Sequence, residues 1–95
     1  MLSHDEFKQK MLTDPEIRAE YDRLKPEFML LDELLRARQD AGLSQAEIAR
    51  RMGTKPPAVS RLIASVASDR HSPSIATLRK YAAACGLRLE IHLVK

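Results

Sequence analysis

Along most of this chain the apolar residues recur every three or four positions, the spacing that lines one face of an α-helix. Phe28, Leu31 and Leu35 are spaced this way, as are Ile48, Ala49 and Met52, and then Val59, Leu62 and Ile63. Each stretch ends where a helix can end. Gly42 follows "LLDELLRARQDA", Gly53 follows "QAEIARRM" and Gly86 follows "LRKYAAAC", each suited to the left-handed residue just past a last turn. Start signals interleave with these stops. Ser3 and Glu6, Thr13 and Glu16, and Ser44 and Glu47 have capping-box spacing. Thr54 and Ser74 are further cap candidates, and Pro15 and Pro73 suit first turns or the residues just ahead of them. The pattern predicts two short helices before residue 26, then four more at about 27–41, 45–52, 55–65 and 75–85.

The period changes at the end of the chain. Leu87, Leu89, Ile91 and Leu93 alternate with Arg88, Glu90 and His92, which predicts one half-buried strand. A single strand leaves its backbone groups without partners. The same strand from a second copy, antiparallel across a two-fold axis, would supply them and bury Leu89, Ile91 and Leu93 together. A homodimer is therefore expected, although the helix at 75–85 offers another joint. The expected fold is all-α with three parts: a helical arm over 1–25, a helical domain over 26–86 and a C-terminal β-strand over 87–95.

Composition sets the class. Ninety-five residues with 44% apolar and 31% charged content fit one folded domain with a modest core. No apolar run approaches a membrane span, and "MLSHDEFKQKML" lacks a signal peptide's layout, so a cytoplasmic setting is expected. Cys85 is the only cysteine, which excludes an internal disulfide, and its apolar neighbours predict a buried structural thiol. No Cys/His set has metal-ligand spacing, and no cofactor is expected. His4, His71 and His92 fall in three different settings, and neither a nucleophile–base arrangement nor a Gly-rich phosphate loop is present, so no catalytic residue is assigned.

Charge changes the picture more. Residues 1–25 carry five Lys or Arg against six Asp or Glu, whereas residues 50–80 carry seven against Asp69 alone. A positive field concentrated in one segment fits a polyanion, most simply nucleic acid. Within that segment "GTKPPAVSRL" follows a short helix and a Gly-containing turn, which together describe a helix-turn-helix. Prolines in a first turn give up no intrahelical hydrogen bond, and their fixed φ suits the helix. At 100° per residue Pro56, Pro57, Ser60, Arg61 and Ala64 share one face, with Ala58, Val59, Leu62 and Ile63 on the other. The first face is small, polar and basic, as a major-groove helix requires. Arg61 can fork onto a guanine edge, whereas the rings of Pro56 and Pro57 can only touch a thymine methyl.

These residues carry a resemblance. "LSQAEIARRMGTKPPAVSRL" with "SPSIATLRKYAAACGLRLEI" resembles the Cro/C1-type (XRE) helix-turn-helix family, through Leu43, Ser44, Gln45, Ala49, Gly53, Val59, Ser60, Arg61, Pro73, Ser74, Thr77 and Leu78. It implies a lambda-repressor-like bundle. Within that family the leading "DPEIRAEYDRLKPEF", the "HSPSIATLRKYA" stretch and the tail are most similar to HigA-like antitoxins of type II toxin–antitoxin modules. That likeness implies a cognate HigB-like toxin, an RNase, and repression of the protein's own operon at a palindromic operator. One departure stands out: between Arg61 and Pro73 the chain is longer than the family spacing, with "ASVASDRH" in place of a short turn.

The resemblance implies that Gln45 and the amides of its helix N-terminus hold a phosphate, with Thr54, Lys55, Pro56, Pro57, Ser60 and Arg61 as the remaining DNA-facing residues. Arg50 and Arg51 are expected on a solvated face, and Arg70 and His71 are candidate backbone contacts. In the arm Phe7 and Met11, then Ile17, Tyr21 and Leu24, form apolar stripes at helical spacing. Either they enlarge the core or they dock on a basic partner, and the resemblance favours toxin binding. A stand-alone repressor without a toxin, and an adaptor that no longer binds DNA, are the alternative functions.

Overall fold

The computed structural model describes residues 4–11, 13–66, 68 and 71–95, apart from the side chains of His4, Phe7, Lys8 and Met11. The described residues form six helices: α1 His4–Met11, α2 Pro15–Arg23, α3 Lys25–Ala41, α4 Gln45–Met52, α5 Pro56–Val66 and α6 Ile75–Ala84. The expected helices are present, with ends shifted by one or two residues. The Ser3 cap, the side chains of Phe7 and Met11, and Arg70 lie outside the described residues.

Capping chemistry explains the starts. Ser44 and Ser74 accept hydrogen bonds from the Glu47 and Thr77 amides, at 3.1 and 3.0 Å, and open α4 and α6 as expected. At α2 the cap is Asp14, not Thr13: its carboxylate accepts from the Glu16 amide at 2.9 Å. Pro15 decides this. A proline at the first helical position pushes the residue before it into extended backbone, where an N-cap belongs, and Asp14 has φ −124° and ψ 112°. The Thr13 hydroxyl instead donates back to the Lys10 carbonyl.

No loop separates the arm from the domain. Leu24 alone closes α2 and opens α3, and the rings of Tyr21 and Phe28 stack across this junction at 5.3 Å, nearly parallel. α1 packs on α2 and α2 on α3, while the core forms where α3 and α4 each meet both α5 and α6. Its buried members are Leu34, Ile48, Ala49, Val59, Leu62, Val66, Leu78, Tyr81, Ala84 and Cys85. None of the arm's described residues is among them.

Helix α3 meets the expected setting only in part. Leu34 is its buried residue, with Leu30, Ala37 and the expected Leu31 packed against the core, whereas Phe28 turns towards Tyr21. Tyr81 of α6 meets α3 here: it is fully buried and donates its hydroxyl to the Leu34 carbonyl at 2.7 Å. A buried phenol needs such an acceptor. The thiol of Cys85 is buried beside it, and desolvation pushes its pKa up, as suits a structural cysteine.

The tail corrects the sequence expectation: residues 87–95 form no strand. One chain offers no neighbouring strand to pair with, so the alternating pattern has nothing to act on. Leu89 is half-buried against the core, while Leu87, Ile91 and Leu93 are exposed, Leu93 almost completely at 99%. Arg88 and Glu90 pair at 3.2 Å along the tail.

Tyr81 gives the fold a testable pH dependence. Burial pushes its phenol up to about 12, with the charge of Cys85 adding and that of Arg38 opposing. A raised pKa favours the neutral form in the folded state, so this stability is complete below pH 10 and is lost as pH rises towards 12. Tyr81→Phe should cost about 0.5–1.5 kcal/mol at neutral pH, because the Leu34 carbonyl keeps its place in the α3 ladder. Urea titrations at pH 7 and pH 11 check both effects: the deficit at pH 7 should shrink or vanish at pH 11.

Candidate nucleic-acid interface

Helices α4 and α5 are joined by Gly53, Thr54 and Lys55. Gly53 adopts φ 73°, a left-handed conformation that only glycine enters without strain. That conformation brings the Thr54 amide to the Ala49 carbonyl at 2.8 Å and the Gly53 amide to the Arg50 carbonyl at 3.1 Å. Thr54 therefore uses its amide to finish α4, and among the described residues no side chain caps the start of α5. Helix α5 starts at Pro56, with the Lys55 carbonyl accepting from Ala58 at 2.9 Å.

The turn sets which side of α5 faces outward. Val59 and Leu62 are buried, Ala58 and Ile63 half-buried, and Pro56, Pro57, Ser60, Arg61 and Ala64 exposed. Lys55 and Thr54 are exposed beside them. Among the described residues none forms an ion pair with Lys55 or Arg61. The exposed strip is small at its N-terminal end and carries a guanidinium one turn further on, a shape that enters a major groove.

Gln45, the first residue of α4, is half-buried and lies against this strip: the Ser60 hydroxyl donates to its Oε1 at 2.8 Å. Two residues placed in separate roles by sequence are thus one unit. The first-turn amides of α4 have no intrahelical acceptors, and an anion is favoured there.

Glu47 stands in the same turn, and its charge is spent elsewhere. It forks onto Arg50, Nε to Oε2 at 2.9 Å, and onto Arg51, Nε to Oε1 at 3.1 Å. The capping box is thus one-sided: Ser44 serves the Glu47 amide, while the Glu47 carboxylate turns to the arginines. Arg50 and then Arg51 hold its carboxyl far below the usual range, at about 2. Arg51 is exposed, as expected, and its Nη1 also donates to the Ala84 carbonyl at 2.9 Å, which joins the end of α6 to α4. The i+3 and i+4 spacing from Glu47 signals the local pairs. Nothing local signals Ala84 or the Ser60–Gln45 link, because both join residues distant in sequence. His71 is exposed, as are Arg79 and Lys80 on α6.

A helix-turn-helix family model matches residues 34–91. The chain belongs to the helix-turn-helix family. The match takes in the C-terminal part of α3, all of α4 to α6 and the start of the tail, so the DNA-binding unit of this family is built on the surface just described. The chain is also 31% identical over 85 residues to Antitoxin HigA1 of Mycobacterium tuberculosis strain CDC 1551, and equally to that of strain H37Rv. The alignment takes in 90% of this chain and 54% of each relative, so the chain spans about half the length of the curated relatives it matches. No solved structure matches.

In the arm, Ile17, Tyr21 and Leu24 are half-buried and α2 has no buried residue. Among the described residues of the arm none is buried. No described helix is long and apolar enough to cross a membrane.

Proposed function

We propose that this helix-turn-helix protein is an antitoxin that represses its own operon and neutralises a toxin. It acts as a binding protein, not as an enzyme. α5 enters the major groove of a palindromic operator, Arg61 forks onto a guanine, and Gln45 with the α4 N-terminus grips a phosphate. The observation that carries the DNA-binding part is the exposed Pro56, Pro57, Ser60, Arg61 face on a family-matched unit. Arg61→Ala should cost about 1–3 kcal/mol on the cognate site and relax preference at one base pair. Fluorescence anisotropy on matched and mismatched duplexes measures this; an unchanged preference would place the reading helix elsewhere.

Toxin binding is assigned to the arm, through Phe7, Met11, Ile17, Tyr21 and Leu24. Two observations support it. Any 85-residue stretch of this chain contains residues 11–85, so the likeness to Antitoxin HigA1 takes in α2. The apolar stripe of α2 also lies outside the core. The partner is a small basic toxin of the HigB-like class, an RNase that suits the acidic arm. Removing residues 1–23 should abolish protection when the gene beside it is co-expressed, while leaving operator binding within about two-fold. Full protection by the shortened chain would move toxin binding off the arm.

The operator-bound form is a two-fold dimer joined through the tail. Ile91, Leu93 and Val94 are exposed apolar residues, and Leu89 borders a groove of about 380 Å³ between α3, α6 and the tail. A second copy laid antiparallel would cover these side chains and pair their backbones. A chain ending at Leu87 should sediment as a monomer and bind a palindromic duplex at least tenfold more weakly. A dimer that survives this truncation would assign the joint to another surface.

A further inference from the structure

The exposed face of α5 carries few groups that can hydrogen-bond to a base. Pro56, Pro57 and Ala64 have no polar side-chain atoms, which leaves Ser60 and Arg61. A serine hydroxyl has one hydrogen, and in this protein it is given to Gln45 Oε1 at 2.8 Å. While that bond stands, Ser60 cannot donate to guanine O6 or N7, thymine O4 or a phosphate. The consequence for Gln45 is equally specific. With Oε1 engaged by Ser60, the amide NH2 is the group left to approach DNA, and a phosphate oxygen accepts only from donors. A free amide would rotate between its two faces and present the repelling oxygen half of the time.

Resting on the operator-binding function proposed above, we infer that Ser60 is a positioning residue: it sets the Gln45 amide for a phosphate and ties α4's grip on the backbone to α5's position in the groove. Base readout by hydrogen bonding then falls to Arg61 alone on the α5 face. Ser60 lies on the exposed strip, so changing it leaves the core untouched.

The test uses the full chain and a duplex that the wild-type protein selects from a randomised pool. Ser60→Ala, Gln45→Ala and the double variant are compared by anisotropy, and each is profiled against all single base changes. Loss of one such hydrogen bond corresponds to about 2- to 10-fold in affinity. Ser60→Ala should lose that much equally on every sequence, with its base profile unchanged. The double variant should bind no more weakly than Gln45→Ala, and Ser60→Thr, which keeps the hydroxyl, should recover the lost affinity. A Ser60→Ala profile relaxed at one base pair overturns the inference, because Ser60 then reads a base. So do additive losses in the double variant, which make the two residues independent. A wild-type chain that selects no sequence from the pool overturns operator binding itself, a separate result from either.

Discussion

One backbone hydrogen bond, from the Thr54 amide to the Ala49 carbonyl at 2.8 Å, sets the geometry on which the rest of the surface depends. It can form only because Gly53 takes a left-handed conformation, so the chain reverses out of α4 within three residues. That reversal lays Val59 of α5 into the core with Ile48 of α4, both essentially without solvent contact. With this side committed inward, helical geometry leaves Ser60 and Arg61 no choice but to point out. The same crossing brings Ser60 to the first residue of α4. Turn, core and outward strip are thus one arrangement.

Basic residues divide into two sets. Arg50 and Arg51 are bound to Glu47, whose single charge offsets one of their two, and Arg51 reaches on to the Ala84 carbonyl, so they also act as struts. These exposed pairs are individually weak, but Arg51 joins two helices as well as two charges. Lys55 and Arg61 are exposed on the turn and on α5, with Arg79 and Lys80 exposed on α6. Glu47 would otherwise set a negative charge in the first turn of α4, close to where a phosphate would approach. Its two arginines remove that conflict at the point where it would matter most.

What was legible in the sequence was everything governed by local rules. Gly42, Gly53 and Gly86 closed helices, Ser44 and Ser74 opened them, and the inward and outward faces of α5 followed from spacing alone. Two departures and one unforeseen contact share one cause. Leu34, not Phe28 or Leu35, is the buried residue of α3, and it meets Tyr81 from 47 positions away. Arg51 stays on the exposed face as expected, but its bond to Ala84 follows from where α6 ends. The tail kept its alternating pattern without a strand, because pairing requires a neighbour that one chain does not contain. Local spacing carries none of these long-range facts. The cap at Asp14 differs in kind: Pro15 made it legible, and the hydroxyl spacing of Thr13 outweighed that signal.

Helix α3 decides how the two ends of the molecule can act together. Its 17 residues span about 25 Å. The Tyr21–Phe28 stack lies at its N-terminal end, and Gly42 and Leu43 hand the chain on to Ser44 and Gln45 at the other. A partner held by the arm and a duplex held by α4 and α5 would therefore occupy opposite ends of one rod, without competing for a side chain. The rod is not free to swing, since the Tyr81 hydroxyl grips it near its middle, at Leu34. Coupling between the two ends would have to rotate α3 about that contact, which means breaking a buried hydrogen bond and reopening the core around Leu34. Both proposed partners would then be held at once, neither displacing the other.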